Sequence, residues 1–130
     1  MTPADVKILV VDDVQMMRVQ VKDILRQCGF EKIRSAANGL DALKQLGEES
    51  AHLIVADWHM APMSGLELLR EVRAKEAFKD IAFLMLTAEV TKERVIEAVK
   101  AGVDEYVVKP FTIDHTQLKV MSVLLKRKVL

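Results

Sequence analysis

Short apolar runs alternate with helix-period stripes five times along this chain, and few folds accommodate that order. Compact runs at residues 8–11, 53–56 and 81–86, with shorter ones around Ile33 and at 106–108, have the length of strands. The runs beginning at Ile8, Leu53 and Ile81 are apolar without alternation. That pattern marks strands covered on both faces, hence a parallel sheet between helical layers. Lys32, Ile33 and Arg34 do alternate, which places their strand at an edge.

Between the runs the period lengthens to that of a helix. Val14, Met17, Val21, Ile24, Leu25 and Cys28 share one face of a first helix, and Leu40, Leu43 and Leu46 one face of a second. Leu66, Leu69 and Val72 form a third stripe, Val95 and Val99 a fourth, and Leu118, Met121 and Leu125 a fifth. Gly29 and Gly102 stand just past the first and fourth helices, where a left-handed residue is wanted. Right-handed crossovers then give an α/β, doubly wound, five-stranded parallel sheet of order 2-1-3-4-5, flanked by five helices. At 130 residues a single domain spanning 1–130 is expected.

The charge balance narrows the function classes. Nineteen basic and nineteen acidic residues cancel, so nothing in the bulk charge favours nucleic acid or an anionic membrane as partner. No apolar run reaches the roughly 18 residues of a membrane span. The single Cys28 fits a reducing compartment, so the expected location is the cytoplasm.

In a doubly wound sheet, ligands sit beyond the carboxyl ends of the strands. There this chain places Asp12 and Asp13 after the first strand, Asp57 after the third, Thr87 at the fourth and Lys109, before Pro110, at the fifth. Two carboxylates about 4 Å apart repel by about 4 kcal/mol at an effective dielectric near 20, so the cluster calls for a cation. Oxygen donors with room for water and a phosphate oxygen suit Mg2+. Phosphoryl transfer needs in-line positioning and charge neutralisation, which such a set provides. Asp57, alone at the end of the central strand, is the candidate nucleophile for an aspartyl phosphate. Asp12 and Asp13 are the candidate metal ligands. Lys109 offsets phosphoryl charge, and Thr87 hydrogen-bonds a phosphoryl oxygen. Taken singly, Asp12 and Asp13 also read as helix-capping residues, Lys109 as a solvated lysine and Thr87 as an ordinary strand residue. The proline after Lys109 also admits a cis peptide there.

The motifs V-V-D-D at 10–13, A-D-W at 56–58, M-S-G-L-E-L-L at 63–69, L-T-A-E at 86–89 and Y-V-V-K-P-F at 106–111 resemble the receiver domain of bacterial two-component response regulators, nearest to the stand-alone chemotaxis type. The likeness runs over about residues 6–112, with the motifs in the family's order. It implies that Asp57 takes a phosphoryl group from a sensor histidine kinase, with Mg2+ held by Asp13, Asp57, the backbone carbonyl of His59 and, through water, Asp12. It implies a switch in which Thr87 moves toward the phosphoryl group and Tyr106 swings inward, remodelling the face of the fourth helix, fifth strand and fifth helix. An output protein such as a flagellar motor switch component would bind there, and a phosphatase is a further expected partner. Arg18 and the first helix resemble a docking surface, Trp58 a reporter of metal binding. His59 and Glu89 fall where the family flanks the path of the attacking water, so His59 is expected to alter the lifetime of the phosphorylated state.

The chain departs from the chemotaxis type at His59, where asparagine is usual, and at Ala61, with Pro62 shifted by one place. Residues 112–130 also leave the usual register. Two alternatives stay open: a phosphorelay shuttle that passes the group to a histidine phosphotransfer protein, and an aspartyl-phosphate phosphatase or flavin carrier on the same scaffold. The five glycines form neither G-x-G-x-x-G nor a Walker loop, which weighs against a nucleotide. A monomer is expected. The basic end Lys126, Arg127 and Lys128 reads as a solvated helix terminus.

Overall fold

The computed structural model describes residues 1–88, 91–109 and 112–130. After a short 3-10 turn at Pro3–Asp5, strands and helices alternate: β1 Lys7–Val11, α1 Gln15–Gln27, β2 Lys32–Ala36, α2 Gly39–Glu48, β3 Leu53–Ala56, α3 Gly65–Ala74, β4 Ala82–Thr87, α4 Lys92–Ala101, β5 Glu105–Val108 and α5 Ile113–Lys126. The sheet is parallel with order β2-β1-β3-β4-β5, as the alternation of periods implies. The structure places β2 at an edge beside β1, with Lys32 exposed and the following three residues half-buried.

The continuous apolar runs have a direct cause. Successive strand residues point to opposite faces, and each face carries its own core. Ile8, Val10, Leu53, Val55, Leu84 and Leu86 pack with Val21 and Leu25 of α1 and with Val120, Val123 and Leu124 of α5. Leu9, Val11, Ile54, Ala56, Phe83 and Met85 pack instead with Leu46, Leu69, Val72 and Ala98 of α2, α3 and α4. A strand sandwiched this way has no polar face to alternate with.

Local chemistry sets where helices begin and end. Asn38, Ser64, Thr91 and Thr112 cap α2, α3, α4 and α5, each side chain accepting a backbone N–H three residues on. Gly29 and Gly102 take the left-handed conformation, with φ of 98° and 97°.

Two helical stripes face differently from the expectation. On α4 the buried residue is Ala98, while Val99 is 62% exposed. Adjacent positions point about 100° apart, and the small alanine permits the closer approach. On α5 the core takes Thr116, Val120, Val123 and Leu124, leaving Leu118 71% and Leu125 58% exposed. Both sets share the helical period, so periodicity could not say which faces the sheet. Val14 and Leu40, at the starts of α1 and α2, also stand exposed.

Candidate functional site

The ladder of the sheet extends one residue past the strands and so positions the acidic groups. Asp12 donates its backbone N–H to Ala36 O at 3.2 Å, and Asp57 donates to Val11 O at 3.1 Å. Lys109 donates its backbone N–H to Thr87 O at 2.8 Å, tying the end of β5 to that of β4. Asp12, Asp57, Thr87 and Lys109 therefore arrive at one edge of the sheet from four segments of the chain.

The Lys109 ammonium is the hub. Its Nζ lies 3.0 Å from Asp57 Oδ2 and 3.4 Å from Asp12 Oδ2, and all three side chains are largely buried. Asp12 Oδ1 accepts the Val14 N–H at 2.9 Å, and Asp57 Oδ1 accepts the His59 N–H at 3.4 Å. Asp12 thus holds the loop that enters α1 without capping the helix, whose N-cap is Val14 with no side-chain cap, and its other oxygen belongs to the cluster. Burial raises the Asp12 carboxyl above the ordinary carboxylate value; the Val14 N–H and Lys109 pull it partly back, and the negative charge of Asp57 pushes it up again.

Asp13 is exposed beside this ion-paired cluster. Among the described residues no three His, Cys, Asp or Glu side chains stand close enough to hold an ion between them. Two buried carboxylates sharing one ammonium still carry net negative charge, and their donors are all oxygen. Mg2+ suits such a set, because it binds through one or two carboxylates and fills its remaining positions with water and phosphate oxygen. Asp12 and Asp57, with Asp13 next to them, fit that ion.

Further residues join the site to the rest of the fold. Thr87 is fully buried at the end of β4. Trp58, 6% exposed, meets Tyr106 of β5 edge to face, with ring centroids 6.4 Å apart. The Arg94 guanidinium of α4 lies 5.0 Å from the Trp58 ring centroid. Trp58 follows the candidate nucleophile directly, so an unbroken set of contacts runs from Asp57 to α4 and β5. Arg18 donates to the Asp12 carbonyl oxygen at 2.7 Å, which brings a residue expected only on a docking surface against the site.

Gly65 is a positional requirement that the motif alone did not explain. Its N–H donates to Trp58 O at 2.9 Å, and a Cβ at this position would overlap the Asp57 carbonyl oxygen. Ser64 and Glu67 form a capping box that fixes where α3 starts, but nothing local says what that start lies against. Arg94 had no local signal. Glu89 and the peptide between Lys109 and Pro110 lie outside the described residues. Among the described residues a cis peptide occurs at Ala61–Pro62, in the loop where the chain departs from the chemotaxis type.

A family model described as the response regulator receiver domain matches residues 8–121. Chemotaxis protein CheY-3 of Vibrio cholerae is 46% identical over 108 residues, which cover 83% of each chain. Chemotaxis protein CheY of Pseudomonas aeruginosa is 44% identical over 117 residues, covering 90% of this chain and 94% of that one. Among solved structures, Vibrio cholerae CheY4 superimposes with a TM-score of 0.85 at 32% identity, covering 92% of this chain and 98% of the other. The receiver domain of a Pseudomonas aeruginosa sensor histidine kinase, with a magnesium ion coordinated in its active site cleft, shares the fold at a TM-score of 0.82 and 24% identity over 92% of this chain and 97% of that one. The chain belongs to the response regulator receiver domain family, as a member of the CheY type.

Proposed function

We propose that Asp57 is the phosphoryl acceptor of a chemotaxis regulator working in the cytoplasm, charged by a sensor histidine kinase and read by an output partner such as a flagellar motor switch component. The observation that carries this reading is the bridge of Lys109 between Asp57 and Asp12 at the strand ends. In the transfer step an Asp57 carboxylate oxygen attacks phosphorus. The bond from phosphorus to the donor imidazole nitrogen breaks, and its electron pair stays on the imidazole. Hydrolysis reverses the state: water attacks phosphorus, inorganic phosphate leaves and the carboxylate is restored.

Asp12, Asp13 and Asp57, with the His59 carbonyl, would hold Mg2+, which when bound neutralises phosphoryl charge and orients its oxygens. Lys109 keeps the Asp57 oxygen directed and then pairs with the phosphoryl group as a compact point charge. Thr87 donates to a phosphoryl oxygen once the group is in place. Trp58 carries the change to Tyr106 and Arg94, so that the α4, β5 and α5 face is altered. That face already presents Ile96, Val99 and Val108, each at least 42% exposed. Phosphorylation shifts the face only by favouring one arrangement over the other.

His59 and Glu89 shape the approach of the hydrolytic water, and a phosphatase acts on the same face of the site. Replacing His59 by Asn changes the dephosphorylation rate in this reading, and equal rates would contradict that role. The function itself is tested by transfer from a phosphohistidine kinase domain: the wild type takes up label in the presence of Mg2+ and Asp57→Asn does not. Label retained on the asparagine variant would move the acceptor elsewhere.

A further inference from the structure

The loop between β1 and α1 carries both Asp12 and Asp13, yet the sheet holds only the first of them. Asp12 donates its N–H to Ala36 O at 3.2 Å, and its Oδ1 accepts the Val14 N–H at 2.9 Å. Asp13 follows, exposed, and α1 starts at Gln15 after the N-cap Val14. Neither a side-chain cap nor an acidic residue supports the first turn of this helix. What orients Asp13 must therefore come from farther along the chain.

Arg18 meets that need. Its backbone N–H donates to Val14 O at 3.1 Å and its Nη1 donates to Asp12 O at 2.7 Å, so one residue grips the loop on both sides of Asp13. The Asp12 carbonyl belongs to the planar peptide that joins the two acidic residues, and fixing its oxygen fixes the direction in which Asp13 leaves that plane. The guanidinium is half-buried, and its charge strengthens the bond to the carbonyl. We propose that Arg18 is a positioning residue for Mg2+, holding the peptide between Asp12 and Asp13 so that the Asp13 carboxylate is presented to the ion beside Asp12 and Asp57. This role rests on the metal reading of the site given above.

Charge and position act in opposite directions here. A guanidinium beside a cation site repels the ion, so if Arg18 acted through its charge alone, removing it would tighten Mg2+ binding. If it acts by holding the ligand loop, removing it weakens binding although a repulsive charge has gone. Groups that hold a metal's ligands in place typically change its affinity by about 10–100-fold when they are lost. A residue serving only to dock a partner would leave the affinity unchanged. Because one N–H meets one oxygen, rather than a fork meeting two, lysine can take over the contact.

Mg2+ titrations of the full chain, followed by the amide chemical shifts of nitrogen-labelled protein, test this. Arg18→Met removes the donor and the charge but keeps an apolar stem, and its dissociation constant for Mg2+ rises on the order of tenfold. Arg18→Gln, two bonds shorter than arginine but equally suited to a helix, weakens binding in the same way. Arg18→Lys stays within about threefold of the wild type. Circular dichroism and melting without the ion verify the fold of each variant. Affinity in Arg18→Met and Arg18→Gln equal to that of the wild type, or tighter, overturns the proposal. So does an Arg18→Lys variant as weak as Arg18→Met. A wild type that binds no Mg2+ removes the metal reading itself, and this role with it.

Discussion

Lys109 Nζ lies 3.0 Å from Asp57 Oδ2, an ion pair that joins the end of β5 to the end of β3. Because the same ammonium also reaches Asp12, its removal leaves two largely buried carboxylates facing each other. Lys109→Met should lower stability at pH 7 by about 3 kcal/mol. Millimolar Mg2+ should restore more of the melting temperature in this variant than in the wild type, because the ion supplies the missing positive charge. Lys109→Arg should keep most of the stability but impair the response of the α4, β5 and α5 face, since a planar fork does not replace a compact ammonium. Thermal melts with and without Mg2+ check the first two expectations, and Trp58 emission on phosphorylation checks the third.

Asp12 should weaken the fold at neutral pH. Its folded-state value is raised by burial, so between the ordinary carboxylate value of 3.8 and the folded value the native state binds more protons than the unfolded chain. Stability therefore declines as pH rises through that window. Asp12→Asn keeps an oxygen to accept the Val14 N–H and removes the charge. The variant should be about 1 kcal/mol more stable than the wild type at pH 7, with the gap closing in acid, while its affinity for Mg2+ drops. Melts from pH 3 to pH 7, with a metal titration alongside, measure both.

His52 has the opposite dependence. Its Nδ1 accepts the Lys7 N–H at 2.9 Å while its own backbone N–H donates to Lys7 O at 2.8 Å, so the imidazole must be neutral at that nitrogen. Burial, and then the charges of Lys7 and Lys32, lower its value from 6.5. Its contribution is complete above pH 6.5 and is lost as pH falls through the folded value. His52→Ala should cost about 1 kcal/mol at pH 8 and flatten the loss of melting temperature between pH 6.5 and pH 5. Comparing the two melting profiles over that interval is sufficient.

Asp104 anchors the far edge of the sheet. Its side chain is 1% exposed and lies 3.0 Å from Arg73 of α3 and 2.9 Å from Arg127 after α5, with Lys126 at 3.5 Å. It also accepts the Phe83 N–H at 2.9 Å. Asp104→Ala should therefore destabilise by about 3–5 kcal/mol, through positive charge left without its partner. Because it precedes β5 whereas the candidate site follows the strands, phosphorylation by acetyl phosphate well below the melting temperature should proceed at the wild-type rate. Denaturant unfolding and a labelling time course separate the two effects.

Asp12, Asp57, Thr87 and Lys109 were legible before any coordinates, because a parallel sheet brings the carboxyl ends of its strands to one edge whatever the loops do. Arg94 over Trp58 was not, since it depends on how α4 lies against β3, which no local pattern encodes. The same holds for Asp104: the basic end of the chain read as solvated, yet Arg127 turns inward to a carboxylate 23 residues earlier. On α5 two apolar stripes of equal period competed, and the expectation took the outward one. The close approach of Gly65 to the Asp57 carbonyl became visible only once the start of α3 could be placed against the end of β3.

The central claim, that Asp57 is the acceptor and a divalent ion is needed to charge it, is tested most directly by intact-mass measurement after incubation with acetyl phosphate, followed by mapping of the modified peptide. The account predicts a single phosphoryl adduct on the peptide containing Asp57 when Mg2+ is present and none when the ion is chelated. An adduct on another residue, or equal labelling with and without the ion, would contradict it.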